Sequence, residues 1–260
     1  VWQRQYVVGS SIRQRSPPSL PEDHFDALII TEQHGVLNSL AWEHTPHHLR
    51  AWHDYYIARS PAGQTWFFMP WLSMDDPGNP ARWASYEQAA AHVWQCAVSR
   101  INRNLRAEGR PDQIRVIPAS LALVHLTQAL QQEGGPAVFI DDVHLTPIAK
   151  FYMALVTASF MNGELPADVL PRILGATPES LSAADIRIMV RAALSFQAAS
   201  RSRVELTESG CKRFLSESFI ADYWDYYRDA ILAKKSSALK ARWSAWRMQQ
   251  QSSVLLLEKL

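Results

Sequence analysis

The residues at 138–156, VFIDDVHLTPIAKFYMALV, set two acids and an imidazole between a short apolar run and a helical pattern. Asp141 and His144 stand three positions apart. A carboxylate at that spacing can hold one imidazole nitrogen, fix the ring's tautomer and leave the other nitrogen to accept a proton. The same residues also suit a tight turn with a helix cap and a surface histidine. Both readings are open at this level. A second group of histidines lies in WEHTPHHLRAWHD, which holds His44, His47, His48 and His53. His44 and His48 have the spacing of two zinc ligands on one helix face, but there is no H-E-x-x-H pattern and no clear third ligand, so polar decoration of a helix start is the expectation. No metal and no organic cofactor is implied. The two cysteines, Cys96 and Cys211, lack metal-ligand spacing, and a single bridge between them is possible without being required.

The elements that must position these residues can be read from apolar periodicity. QYVVG ends in a glycine. DALIIT, TWFFMPW and IRVIP are short runs suited to strands buried on both faces, the last two stopped by Pro70 and Pro118. Between TWFFMPW and IRVIP, the residues Trp83, Tyr86, Ala90, Val93, Trp94, Ala97 and Ile101 recur at steps of three and four, which predicts a long helix ending at Gly109. SLALVHLTQALQQEGG predicts a shorter helix, and residues 146–161 another. Strands alternating with such helices indicate a parallel α/β sheet, whose ligands sit at the carboxyl ends of the strands. The turns after VV, LIIT and FFMP are therefore where chemistry is expected.

With this context, the D-x-x-H of Asp141 to His144 resembles the last block of the SGNH (GDSL-type) hydrolases, in which a helix also follows the histidine. The resemblance implies an α/β fold with a flavodoxin-like parallel sheet that hydrolyses esters of lipids, sugars and other acyl compounds. It implies that His144 is the general base and that Asp141 orients it. It assigns Gly9, in QYVVGSS, to the glycine whose backbone N–H helps form the oxyanion hole. The family's G-x-N-D block is replaced here by TEQHG, where Gln33, or in second place His34, would supply the donor. The family's nucleophilic serine lies in a G-D-S block after its first strand. GSSI imitates that block with Ser11, but only about twenty residues then precede TEQH, too few for the strand, helix and loop required. The expectation is that Gly9 is the second block, that the first block and strand are absent from this chain, and that the gap is filled by an upstream segment, by another subunit or by a rearranged strand order.

All nine histidines and seven of the ten tryptophans precede Gly163. The reading is of an SGNH-like domain at 1–163 and a helical C-terminal extension at 164–260. In the extension, TPES and SAAD are helix starts. The residues from ESFIADYW to WRMQQQ run for over thirty positions without Gly or Pro, as one helix. Phe219, Tyr223, Tyr226, Tyr227, Ile231 and Leu232 form its apolar stripe, and Lys234, Lys235, Lys240, Arg242 and Arg247 make its later part basic. Trp71 follows a strand and is expected to overhang the active face as a substrate contact.

The chain's 260 residues, 47% apolar and 20% charged, describe an ordinary globular protein, and the net charge of +1 gives no case for nucleic acid. No apolar run reaches the length of a membrane span. The start, VWQRQYVVGSS, lacks the apolar core of a signal peptide. The family's habits favour export. The partners implied are an acyl ester and, through the C-terminal helices, another protein. The competing function is that of a catalytically inactive scaffold serving as an assembly subunit.

Overall fold

The computed structural model describes residues 25–32, 35–77, 79–133, 135, 137–165, 182–200 and 206–259. QYVV, Gly9, Ser11, Gln33 and His34 lie outside them. Among the described residues the architecture is mixed α/β and mostly helical, around a parallel sheet of three strands: β1 (Ala27–Thr31), β2 (Gln64–Phe68) and β3 (Ile114–Ile117), in the order β1-β2-β3. Ile29 pairs with Trp66, and Trp66 with Arg115. The central strand explains its own composition. Thr65, Trp66 and Phe67 are all buried, since both faces of β2 are covered. The β1 edge is looser, and Ile29 is 46% exposed.

Helices α1 (Val36–Ala41) and α2 (Thr45–Ile57) connect β1 to β2, and α3 (Ala81–Ala107) connects β2 to β3. The anticipated apolar face of α3 is buried throughout, from Trp83 to Leu105. It stops at Gly109, whose φ of +75° lets the Arg110 N–H return to the Leu105 carbonyl at 2.9 Å. Next come α4 (Ala119–Glu133), after β3, and α5 (Pro147–Asn162), the helix beyond the D-x-x-H stretch. Thr146 caps α5 by accepting the Ala149 N–H, and Pro147 occupies the first turn.

The C-terminal helices begin with α6 (Ala183–Ala199), opened by a capping box between Ser182 and Asp185. α7 (Glu208–Phe214), α8 (Ile220–Tyr227) and α9 (Ala233–Lys235) are joined by π-helical turns at Leu215–Phe219 and Arg228–Leu232. α10 (Ala238–Lys259) closes the described chain. The single long helix expected here is interrupted. Ser236 is extended, at φ −153° and ψ 168°, and its hydroxyl donates to the Leu232 carbonyl at 3.0 Å. A serine can end a helix without Gly or Pro, because its side chain competes for backbone partners.

One hydrophobic core runs across residue 163. It joins Phe67, Trp83 and Leu105 to Phe219, Tyr223 and Trp224. Tyr86 on α3 stacks on Tyr226 on α8 with ring centroids 4.3 Å apart. The bridge left open by the sequence is formed: Cys96 on α3 is disulfide-bonded to Cys211 on α7, 115 residues away. Closing so long a loop removes much of the unfolded chain's freedom. Replacing both cysteines by serine should lower unfolding stability by about 2–5 kcal/mol. Urea denaturation of the oxidised protein and of the double variant measures this, and coincident midpoints would contradict it.

Candidate functional site

The Asp141–His144 stretch is a turn closed by several short hydrogen bonds. Phe139 and Leu145 form an antiparallel bridge, the Ile140 N–H donates to the His144 carbonyl at 2.7 Å, and the Thr146 N–H donates to the Val138 carbonyl at 3.0 Å. Within this frame Asp141 has two tasks. Its Oδ1 accepts the backbone N–H groups of Val143 and His144 at 2.8 and 2.7 Å, and its Oδ2 meets His144 Nδ1 at 2.7 Å. The turn and the dyad are therefore one object, while the cap of α5 belongs to Thr146. The His144 and Val143 N–H groups, and then the imidazole, hold the Asp141 carboxyl well below the usual carboxylate range. In a neutral ring this contact puts the proton on Nδ1 and leaves Nε2 as the basic nitrogen. The dyad is open to solvent, with His144 at 73% and Asp141 at 49% side-chain exposure.

A second loop, between β2 and α3, supports the turn. The Met74 N–H donates to the Asp142 carbonyl at 2.6 Å, and the Trp71 indole N–H to the Val143 carbonyl at 3.0 Å. Trp71 therefore braces the D-x-x-H turn. The loop itself is held from α3, where Glu87 accepts the Leu72 N–H at 2.6 Å and Trp83 donates to the Leu72 carbonyl at 2.8 Å. It is held from α8 as well, where the Tyr226 hydroxyl donates to the Ser73 carbonyl and accepts the Asp75 N–H. Lys234 on α9 closes the ring with an ion pair to Asp142 at 2.9 Å. The C-terminal helices thus take part in building the turn that carries the dyad.

At the carboxyl end of β1, the Thr31 hydroxyl donates to the Phe68 carbonyl, and Glu32 accepts the Thr45 hydroxyl at 2.6 Å. Burial and the neighbouring Glu32 raise the pKa of Glu43. Among the described residues, the hydrogen bonds of the His144 ring reach only Asp141, and none links it to a serine.

Sequence reasoning missed a second imidazole–carboxylate pair, this one with a hydroxyl on the ring's other nitrogen, at the opposite end of the sheet. His53 Nδ1 lies 2.8 Å from Thr65 Oγ1, and its Nε2 lies 3.0 Å from Asp112 Oδ2. Arg110 pairs with both Asp112 and Asp54, and Arg50 links Asp54 to Glu108. His53 and Thr65 are at most 1% exposed, so no substrate reaches the hydroxyl. The series is a structural tie between α2 and the amino ends of β2 and β3. Burial lowers the His53 pKa, against the pull of Asp112. The described cluster with metal-ligand chemistry is His92, Cys96 and Cys211, and its two sulfurs are joined in the disulfide. His44 and His48, at the start of α2, gather no third ligand among the described residues.

Glu87 was also hidden, since an acid in a helix usually faces water. It is fully buried, and burial pushes its carboxyl up to about 8. A folded-state value above the unfolded one means that the group's favourable contribution is complete below about 4.5 and is lost as the pH rises toward about 8. The slope approaches roughly 1.4 kcal/mol per pH unit within that window. Glu87→Gln mimics the neutral acid and still offers an oxygen to the Leu72 N–H. Its stability should gain on the parent's as the pH is raised from 5 to about 8. Urea titrations across that range test this, and parallel pH profiles would contradict it.

Comparison with protein-family models, curated proteins and solved structures found no match to this chain.

Proposed function

We propose that this chain carries the base dyad of an SGNH-type ester hydrolase or acyl transferase acting on a small or carbohydrate-linked acyl group. The observation that supports it most is the 2.7 Å contact between Asp141 Oδ2 and His144 Nδ1, in a turn braced by the loop that follows β2. Three consecutive parallel strands in the order β1-β2-β3 agree with the last three strands of a flavodoxin-like 2-1-3-4-5 sheet. The part-exposed Ile29 on β1 is consistent with an edge that a further strand would cover.

In the proposed reaction, His144 Nε2 takes the proton of a serine hydroxyl as its oxygen attacks the ester carbonyl. The Gly9 N–H and the Gln33 side-chain amide, with His34 as the second choice, stabilise the tetrahedral oxyanion. The intermediate expels the alcohol, which leaves with the proton held by His144. Water, or an acceptor alcohol, then releases the acyl group by the same path in reverse. Asp141, ionised throughout, keeps the ring oriented and stabilises the imidazolium. The serine comes from a segment outside these 260 residues, or is Ser11. Trp71 borders the acyl site. The disulfide supports the reading of an exported protein, since such bonds persist in oxidising compartments.

The second reading is an inactive SGNH-like scaffold. The 73% exposure of His144, and the absence of a serine hydrogen-bonded to it among the described residues, favour it. Hydrolysis of p-nitrophenyl acetate by the full gene product separates the two. Activity should fall by roughly 10²–10⁴-fold in His144→Ala, as for loss of a general base. Turnover that is absent, or unchanged in that variant, together with no labelling by a serine-directed phosphonate, would leave the scaffold.

A further inference from the structure

We propose that the outer face of α10 is a docking surface for an anionic phospholipid bilayer, on which the helix lies flat. The inference is independent of the hydrolase reading. The inner face of α10 is occupied: Ala241, Ala245, Ser252 and Leu256 are buried, and the Trp224 indole N–H donates to the Ser252 hydroxyl at 2.8 Å. The outer face has the opposite character. Leu239, Trp243, Trp246 and Val254 recur at helical spacing and are 81%, 57%, 58% and 65% exposed. They make up four of the seven exposed large hydrophobic side chains among the described residues, so the apolar exposure is concentrated on one helix. At 1.5 Å per residue the stripe is about 22 Å long.

Charge decides what can cover it. Lys240, Arg242 and Arg247 flank the stripe and are exposed, and the Arg247 guanidinium lies 5.0 Å from the centre of the Trp243 ring. Lys234 and Lys235 end the preceding helix, and no acid occurs between residues 230 and 257. A second copy of the same face would bring like charges together, which disfavours self-pairing. Nucleic acid would satisfy the cations but leave Leu239 and Val254 with nothing apolar to bury against. An anionic bilayer surface meets both demands. Its headgroups attract Lys and Arg, and its interfacial layer takes up tryptophan and aliphatic side chains. No described helix is long and apolar enough to cross a membrane, so the contact is with the surface.

The test uses the full chain and sedimentable vesicles of phosphatidylcholine, alone or mixed with phosphatidylglycerol. The protein should sediment with the mixed vesicles and hardly at all with the neutral ones. Lys240→Gln/Arg242→Gln/Arg247→Gln should weaken binding by about a hundredfold, at roughly fivefold per charge near an anionic surface. Trp243→Ser/Trp246→Ser, changes at exposed positions that leave the core intact, should abolish both sedimentation and the quenching of tryptophan emission by brominated lipid. No binding to the mixed vesicles, equal binding to both kinds, or binding that survives the loss of both tryptophans would overturn the proposal. So would a dimer in the ultracentrifuge that the tryptophan variant loses.

Discussion

The candidate site rests on the Asp141 carboxylate. Two backbone N–H groups and one imidazole nitrogen converge on its two oxygens. These bonds close the turn and orient the ring together, so the turn cannot be disturbed without releasing the histidine. Charge-assisted hydrogen bonds of this kind are stronger than neutral ones, and three of them on one carboxylate offset the competition from water that an exposed turn meets. The rest of the local structure serves that turn. The β2–α3 loop ties to it through Trp71 and Met74, and α3 and α8 hold the loop in turn.

This arrangement gives the C-terminal helices a role beyond stability. Tyr226 bonds the β2–α3 loop and Lys234 pairs with Asp142 directly. The disulfide fixes α7 against α3, the helix that also carries Glu87 and Trp83. A change in the packing of these helices would reach the dyad through two loops. The same helices end in α10, whose outer face carries the exposed tryptophans and cations.

Local features were legible in the sequence and long-range ones were not. The Asp141–His144 contact spans three residues, so spacing alone was enough to propose it. Helix ends at Gly109, Thr146 and Ser182 follow from residues that act on their own backbone. The three described strands were visible because buried parallel strands are continuous apolar runs. His53 drew no role of its own from the sequence because its partners lie 12 and 59 residues away. Glu87 shows no sequence sign of burial, since only the folded β2–α3 loop supplies its N–H partner. Two cysteines 115 residues apart carry no pattern that fixes their pairing. The break at Ser236 escaped a reading that looked for Gly and Pro.

The most direct measurement of the central claim is the tautomer of His144, read from its ring nitrogens by nitrogen-15 NMR at a pH where the ring is neutral. The proton should sit on Nδ1, directed at Asp141, with Nε2 bare, and this preference should vanish in Asp141→Ala. A neutral ring that carries its proton on Nε2 in the parent protein would mean that the carboxylate does not hold the imidazole, and the proposed base would be lost.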